Sequence, residues 1–488
     1  MRTLSDLLYK AGTVATHGNI HTVISSVHAS STTVTPGGLF VAIKGHTTDG
    51  HQFIAQAIEK GAVAIVCEHF PDVLHDHVVY VKVAHSAAAL AIIADNFYSH
   101  PSERIKLIGV TGTNGKTTTV TLLYHLFRQA GYKCGLISTV QNRVMDDIRP
   151  AILTTPDPLV IHSLLAEMVQ QGCQYCFMEV SSHAVVQHRI DGLHFTGGIF
   201  TNITHEHLDY HGTFDNYLKA KKGFFDRLPA TAFALVNTDD RHARVMIQNC
   251  KARVKSFGMK SMADFRGKII ENSFNGLHLM MDGLEVSCRL VGRFNAYNLL
   301  GIYATAVLCG FDREEALKCI SLLQPVEGRF NVIHSSNQII GIIDYAHTPD
   351  ALEKVLDTIN ELRTGNEQLI TVVGCGGNRD ASKRPLMAYH AVEKSDRVIL
   401  TSDNPRNEDP QEIIRQMQTG IPPQHQHKVL VVVDRKDAIR QACTLASARD
   451  IILIAGKGHE SYQEIKGVRY PFNDRQVLTE IFNELMLI

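Results

Sequence analysis

At 488 residues the chain is about three domains long, at roughly 150 residues each. Hydrophobic residues make up 44% and charged residues 20%, an ordinary globular composition that excludes wholesale disorder. Lys+Arg 48 against Asp+Glu 49 leaves a formal charge of −1. No global field therefore exists to draw nucleic acid or an anionic membrane, and any bound anion must be held by a local site.

Three regions follow in chain order. Residues 1–104 carry short strand-like stretches (39–45, 62–67, 78–83) separated by helical ones and end at Ser99-His100-Pro101. The N-terminal MRTLSDLLYKAG mixes acidic and polar residues into its apolar stretch and has no small-residue cleavage site, so no signal peptide is expected. Residues 105–330 open with the apolar strand Ile105–Val110, pass into a helix-like 117–130 stopped by Gly131, and include the strand YCFMEV at 175–180. Residues 331–488 repeat the alternation through IIGIIDY, a helical 349–363, LITVVGCGG, RVILTSD, KVLVVVD and DIILIAGKG. Strands alternating with helices of about ten to fifteen residues predict α/β domains built on parallel sheets. In such sheets ligands sit beyond the carboxyl ends of the strands. No run of about 18 apolar residues occurs, so membrane insertion is not expected.

The ten cysteines are scattered. Cys173 and Cys176 form a lone C-x-x-C whose second member lies inside an apolar run. Buried thiols in a reducing compartment, the cytoplasm, are expected rather than a zinc site. Among the 26 histidines, His205, His207 and His211 are the densest group. The residue after His207 is not Glu, so a metalloprotease helix is excluded.

Strand Ile105–Val110 runs into Thr111-Gly112-Thr113-Asn114-Gly115-Lys116-Thr117-Thr118 and then a helix. A glycine-bearing loop opening a helix lets backbone N–H groups and the helix N-terminus wrap a polyphosphate. Lys116 supplies charge to the outer phosphates, and the Thr117 hydroxyl can ligate Mg²⁺. The general pattern asks for a glycine where Val110 stands. Even so, the strand–loop–helix context predicts ATP or GTP binding.

TGTNGKTT, with its first glycine displaced, resembles the ATP loop of the Mur ligases and the related folylpolyglutamate synthetases. The resemblance spans the chain: PGGLFVAIKGHTTDG at 36–50, TTPDP at 154–158, EVSSHAVVQHR at 179–189 and FTNITHEHLDYHGTFDNYLKAK at 200–221. It continues through GRFNAYN at 292–298, EGRF at 327–330, DYAHTPDAL at 344–352, CGGNRDASKRP at 375–385, DNPRNEDP at 403–410 and GKGHE at 456–460.

That resemblance implies three α/β domains: a UDP-sugar-binding domain over 1–104, a central parallel-sheet P-loop ATPase domain over 105–330, and a Rossmann-like amino-acid-binding domain over 331–488. It implies a cytoplasmic, monomeric ligase of peptidoglycan precursor synthesis. The activity implied is ATP- and Mg²⁺-dependent joining of meso-diaminopimelate to UDP-N-acetylmuramoyl-L-alanyl-D-glutamate through an acyl phosphate. The small-molecule substrates are then its partners, without nucleic acid. A lysine-adding relative, a folate polyglutamylating relative and a catalytically inactive nucleotide-binding relative are the rival readings. The long N-terminal region disfavours the folate reading. Joint retention of Lys116, Glu179, His207 and Lys221 disfavours a mere switch.

Residue by residue, the resemblance assigns ATP to Gly112, Thr113, Asn114, Gly115, Lys116, Thr117, Thr118, Asn298, Arg329 and Asp344. Asn298 and Asp344 read equally well as local hydrogen bonders. It assigns Mg²⁺ to Thr117, Glu179, His207 and a CO₂-derived carbamate on Lys221, with Lys116, Glu179, His207 and Lys221 catalytic. By itself a strand-end glutamate is as readily a cap for the next helix, and a lysine triplet a solvated helix face. The muramoyl-dipeptide nucleotide is assigned to Ser31, His46, Thr47, Thr48, Thr154, Thr155, Ser181, Gln187 and Arg189. Here the chain departs from its family, which has Asp-Ser-Arg where Ser30-Ser31-Thr32 stands. Diaminopimelate is assigned to Arg379, Asp403, Asn404, Pro405, Arg406, Gly456 and Glu460. Asn-Pro alone is only a turn signal, but an arginine suits the extra carboxylate that distinguishes diaminopimelate from lysine.

Overall fold

The computed structural model describes residues 2–45, 48–204 and 208–484. Three of the candidate residues, His46, Thr47 and His207, lie outside the described residues. The chain divides into two compact units, Met1–Arg266 with Asn298–Cys319, and Gly267–Tyr297 with Ile320–Ile488.

The first unit opens with a five-stranded sheet in the order Thr13–His17, Val79–Val83, Ala62–Cys67, Gly38–Val41, Ser26–His28. Successive side chains of a strand point to opposite faces, and the core divides accordingly. Leu39, Val41, Ala64, Val66 and Val81 pack with Leu90 and Ile93 of helix Ser86–Phe97. Phe40, Ile65, Cys67 and Tyr80 pack with Ile54 and Ala57 of helix Ile54–Glu59. The apolar stretch 39–45 leaves the regular strand after Val41; the Ala42 N–H still donates to the Val66 carbonyl at 2.8 Å, and Lys44 then bridges Asp49.

A second sheet in this unit runs Asp147–Pro150, Gln141–Val144, Cys134–Ile137, Tyr175–Glu179, Lys106–Thr111, Phe195–Phe200, Phe233–Asn237, Arg253–Gly258. From Cys134–Ile137 onward every neighbouring pair is parallel. Helix Lys116–Gln129 covers one face, where Phe127 meets Tyr175 and Phe177 with ring centroids 4.6 and 4.9 Å apart. On the other face helix Phe214–Asp226 comes unusually close, through Phe224. A Cβ on Gly109 would stand 2.6 Å from the Phe224 ring, and one on Gly198 2.9 Å from it. Two glycines in facing strands thus set the depth of this helix, and with it the position of Lys221 one turn earlier.

In the second unit a six-stranded sheet runs Asn331–His334, Ile340–Asp344, Ile451–Ala455, Leu369–Val373, Arg397–Leu400, Val429–Val431, parallel except for its first pair. One face packs on helices Pro349–Leu362, Lys383–Lys394 and Pro410–Gln418, the other on Arg435–Leu445 and Asp474–Glu484. Neighbouring strand residues again go to opposite clusters, Leu369 to the first and Ile370 to the second.

The protein is α/β and multidomain with parallel-rich sheets, as the alternation of strands and helices predicts. Antiparallel additions went unread in the sequence. Strands Phe265–Ser273, Gly276–Met281 and Leu284–Cys288 form a meander. Burial alternates residue by residue in the second and third, and in the first as far as the register shift after Ile269. Connections of two residues leave no room for the crossover helix that parallel strands require.

Candidate functional site

In the first unit the phosphate loop leaves strand Lys106–Thr111, and helix Lys116–Gln129 begins after Gly115. Gly115 has φ +87°, and a Cβ there would stand 2.5 Å from Asn298 Oδ1. Only glycine lets the turn form with the asparagine that near. Gly115 brings no side chain to cap the helix start, and the helix's first N–H groups and the positive end of its dipole point at the loop. The next strand end fixes the loop from outside. The Thr113 N–H donates to the Asn202 carbonyl at 2.8 Å, the Asn114 N–H to Asn202 Oδ1 at 3.0 Å, and Thr201 Oγ1 to the Asn114 carbonyl at 2.7 Å. Lys116 Nζ donates to the Gly112 and Thr113 carbonyls at 2.8 and 2.9 Å. Thr117 and Thr118 are buried in the first helical turn.

The lysine triplet splits by environment. Lys219 is exposed, Lys222 pairs with Asp226 at 2.7 Å, and Lys221 is 1% exposed. Its Nζ donates to the Gly112 carbonyl at 2.8 Å and lies 4.6 Å from the Tyr217 ring centroid. The Tyr217 hydroxyl in turn sits 3.0 Å from Thr113 Oγ1. Two residues four apart on one helix, and so on one face, therefore both meet the loop. Glu179 ends strand Tyr175–Glu179 and pairs in register with Val110. Its Oε1 accepts the Thr139 N–H at 2.8 Å. Among the described residues its buried Oε2 has no hydrogen-bond partner. The cap of the following helix is Ser181, not Glu179: Ser181 Oγ accepts the Ala184 N–H at 3.2 Å. Among the described residues no group of three or more His, Cys, Asp or Glu is gathered as a metal site; Thr117, Glu179 and Lys221 are what they offer around the loop.

Beside Glu179 the residues assigned to the nucleotide substrate form one network. Thr155 Oγ1 donates to the Glu179 carbonyl at 2.7 Å and accepts the Ser181 N–H at 3.1 Å. Arg189 Nη1 donates to the Thr155 carbonyl at 2.6 Å, and its Nη2 to Gln187 Oε1. Thr154 Oγ1 accepts from Thr139 at 3.1 Å. Ser31, at the end of the N-terminal sheet, is buried and donates to Gln56 Oε1 at 2.7 Å. The departing residues on either side of it bond each other, Ser30 Oγ to Thr32 Oγ1 at 2.8 Å. Thr48 is exposed, and its carbonyl accepts the Gly45 N–H at 2.9 Å.

In the second unit Asp344 takes the Phe330 N–H at 2.7 Å on one oxygen and the Ala346 N–H at 2.8 Å on the other. Burial raises this carboxyl above its ordinary value, and the charge of nearby Arg329 opposes the rise. The Arg329 guanidinium lies 4.8 Å from the Tyr345 ring centroid. Tyr345 is itself pushed up to about 12, chiefly by burial.

Three loops at carboxyl strand ends of this unit gather the residues that the resemblance assigns to diaminopimelate. The Gly377 N–H donates to the Asn404 carbonyl at 2.9 Å, and Arg406 Nη1 to the Gly377 carbonyl at 2.8 Å. Asn404 Nδ2 donates to Glu460 Oε2 at 2.7 Å. A Cβ on Gly376 would stand 3.0 Å from Arg406 Nη1 and 3.8 Å from Arg379 Cγ, so both arginines flank that glycine. A Cβ on Gly456, where φ is +116°, would stand 2.6 Å from Asp403 Oδ2. Pro405 sits where its carbonyl passes directly over Gly377. Sequence reasoning missed Asn202, Thr139 and Tyr217, which hold assigned residues from behind. It also missed Lys457, although the GKGHE motif displayed it.

Three family models match in order: the Mur ligase family, catalytic domain over 23–98, the Mur ligase middle domain over 110–306, and the Mur ligase, glutamate ligase domain over 328–458. A curated protein of Cytophaga hutchinsonii, named UDP-N-acetylmuramoyl-L-alanyl-D-glutamate–2,6-diaminopimelate ligase, is 54% identical over 99% of both chains. The chain belongs to the Mur ligase family. A protein of the same name from Bacteroides thetaiotaomicron is 51% identical to this Mur ligase, over 98% of its chain and 100% of the relative's. A solved structure, again of that name, superposes with a TM-score of 0.71 at 30% identity over 99% of both chains. A MurF ligase from Thermotoga maritima in complex with ADP shares the fold, with a TM-score of 0.62 at 18% identity over 95% of this Mur ligase and 98% of that chain.

Proposed function

We propose that this Mur ligase uses ATP to join meso-diaminopimelate to UDP-N-acetylmuramoyl-L-alanyl-D-glutamate. The observation that carries the reading is the acceptor cluster of the second unit, where two arginines flank one glycine and a glutamate sits on the DNPR loop. It occurs in a chain whose relatives of 50–54% identity over nearly full length bear that name. Diaminopimelate ends in an ammonium and a carboxylate. Glu460 would take the first, and Arg406 with Arg379 the second, since guanidinium forks match carboxylates.

In the reaction the glutamate carboxylate attacks the γ-phosphorus, ADP leaves, and an acyl phosphate forms. The amine of diaminopimelate then attacks the acyl carbon, and phosphate leaves as the tetrahedral intermediate collapses to the amide. The loop N–H groups and Lys116 would orient the phosphates, with Asn298, Arg329 and Asp344 completing the nucleotide contacts. Thr154, Thr155, Ser181, Gln187 and Arg189 would hold the dipeptide end, and Ser31 with the 46–48 loop the uridine diphosphate.

An unpaired carboxylate oxygen on fully buried Glu179, next to a phosphate loop, is the donor a hard cation needs. Thr117, Glu179, His207 and a carbamate on Lys221 would hold Mg²⁺. When bound, the ion supplies charge neutralisation to the transferring phosphoryl group. Lys221 fits carbamylation because it is desolvated, and desolvation favours the neutral amine that CO₂ requires. All ten cysteines are free thiols, which supports a cytoplasmic setting. No described helix is long and apolar enough to cross a membrane.

The test is ligation with the dipeptide nucleotide, ATP and a panel of amino acids, read by phosphate release and product mass. Product should form with meso-diaminopimelate and scarcely with L-lysine. Equal or better use of lysine would overturn the acceptor assignment, and no product with any amino acid would overturn the ligase reading.

A further inference from the structure

Between Gly456 and Glu460 lies a lysine to which no role has yet been given. Lys457 is fully buried. Its Nζ donates to Asn404 Oδ1 at 3.0 Å and to Glu460 Oε2 at 2.8 Å, and it lies 5.7 Å from the Tyr462 ring centroid. The same Glu460 oxygen accepts from Asn404 Nδ2 at 2.7 Å. The carboxylate assigned to the acceptor's ammonium therefore already faces a protein cation. An incoming ammonium must share it.

The other charges of the cluster complete the account. Asp403 is buried and takes the Asn404 N–H at 2.6 Å. Glu464 Oε2 lies 3.9 Å from Arg406 Nε and 4.0 Å from Arg469; the Arg469 side chain is 66% exposed and so belongs largely to solvent. Behind the pocket Arg435 and Asp474 are closed on each other at 2.7 and 2.8 Å and cancel. Arg384, which reaches the Gly376 carbonyl, is paired with Glu408, and the charge of Arg329 is set against that of Asp344. Asp403, Glu460 and Glu464 are then equalled in number by Lys457, Arg379 and Arg406, and the cluster is balanced. Without Lys457 it would carry a net negative charge.

We propose that Lys457 is a positioning residue that sets amino-acid choice, holding Asn404 and Glu460 together and supplying the charge that matches the pocket to a zwitterionic distal end rather than a lone ammonium. This rests on the diaminopimelate reading above. A balanced pocket gains nothing from a bare cation and leaves its arginines unmatched, whereas a negative pocket would welcome it. Discrimination is a difference between two affinities, so a charge with no contact to the distal carboxylate still moves it. Within a closed site, such a charge acts at low effective dielectric.

The experiment measures kcat/KM for meso-diaminopimelate and for L-lysine on the same preparations of full-length wild type, Lys457→Met and Lys457→Gln. Because both amino acids are read on one preparation, any unfolded fraction cancels in the ratio. In both variants the preference for diaminopimelate over lysine should fall on the order of tenfold or more, the equivalent of about 1.4 kcal/mol. Glutamine retains N–H donors for Asn404 and Glu460 and should keep more absolute efficiency than methionine. The KM for ATP should stay in place. Equal proportional loss with both amino acids, down to no turnover with either, would make Lys457 merely structural and overturn the proposal, as would a wild-type preference in the glutamine variant. Wild-type protein that joins neither amino acid removes the functional reading itself, and this proposal with it.

Discussion

Replacing Arg406 by alanine isolates the contact that should recognise the acceptor's distal carboxylate. Arg406 already holds a left-handed φ of 52°, and alanine at that place carries the same backbone cost. What the fold loses is one hydrogen bond, Nη1 to the Gly377 carbonyl at 2.8 Å, a long ion pair with Glu464 at 3.9 Å, and the packing of a side chain that is 21% exposed. Such a loss should cost about 1–2 kcal/mol of stability, too little to unfold a protein of this size. Catalysis loses more. A charge-assisted bidentate contact in a closed pocket is worth on the order of 2–4 kcal/mol when its removal leaves the partner's charge buried. At about 1.4 kcal/mol per factor of ten, efficiency with meso-diaminopimelate should fall roughly 30- to 1,000-fold. Arg406→Lys keeps a charge without the fork and should fall between the two. The assay is initial-rate ligation with the other substrates saturating, alongside KM for ATP and for the dipeptide nucleotide. A fall of less than about threefold, or an equal loss in the ATP KM, would refute the placement of the distal carboxylate at Arg406.

Lys221→Ala should lower turnover roughly 100- to 1,000-fold; added bicarbonate should restore nothing, and a short carboxylate should restore part, as measured by phosphate release. Activity like wild type would return Lys221 to the status of a buried structural lysine. Gly115→Ala should weaken nucleotide binding at least about tenfold by titration calorimetry, because φ of +87° and the approach of Asn298 both oppose a Cβ. His162 is fully buried, with Nδ1 at 3.6 Å from Asp95, and burial, with a smaller push from His100, lowers it from 6.5 to about 3. A folded-state value below the unfolded one means that the unfolded chain takes the proton first. Stability should therefore be level above pH 6.5 and fall below it by up to about 1.4 kcal/mol per pH unit. Burial raises the Asp95 carboxyl, which returns part of that loss at the acid end. Urea midpoints between about pH 7.5 and about pH 5 should fall in wild type and fall less in His162→Leu.

Much of the fold was legible because buried parallel strands write themselves as short runs of Val and Ile. Leu369–Val373 and Ile451–Ala455 are buried at every residue, and no other local structure explains such runs between helices. The motif residues were legible for the same reason, since they stand directly after those runs. What escaped were groups whose role depends on the far side of the chain. Asn202 matters because its strand lies beside the phosphate loop, and Thr139 because its N–H reaches Glu179. Nothing local marks either residue. The lysine triplet shows the limit plainly. Charge alone made Lys219, Lys221 and Lys222 equivalent; the resemblance selected Lys221, and the structure buries it on the helix face it shares with Tyr217 and Phe224.

Among the described residues Arg384, Arg435 and Lys457 are cations buried almost completely, and the pattern bears on why. Buried ion pairs often contribute less to stability than apolar residues of equal volume would, so stability alone does not account for them. Each donates to the backbone or side chains of a loop at a carboxyl strand end, or to the end of the strand itself. Arg384 holds Glu408 and the Gly376 carbonyl, Arg435 holds the Ala455 carbonyl, and Lys457 holds Asn404 with Glu460. Loops that must present many oxygens to charged substrates repel one another, and an internal cation offsets that repulsion while fixing direction. The arrangement spends stability on loops already set before substrate arrives. Truncating Arg384 or Lys457 should therefore loosen one loop and weaken use of one substrate, while the sheets beneath keep their packing.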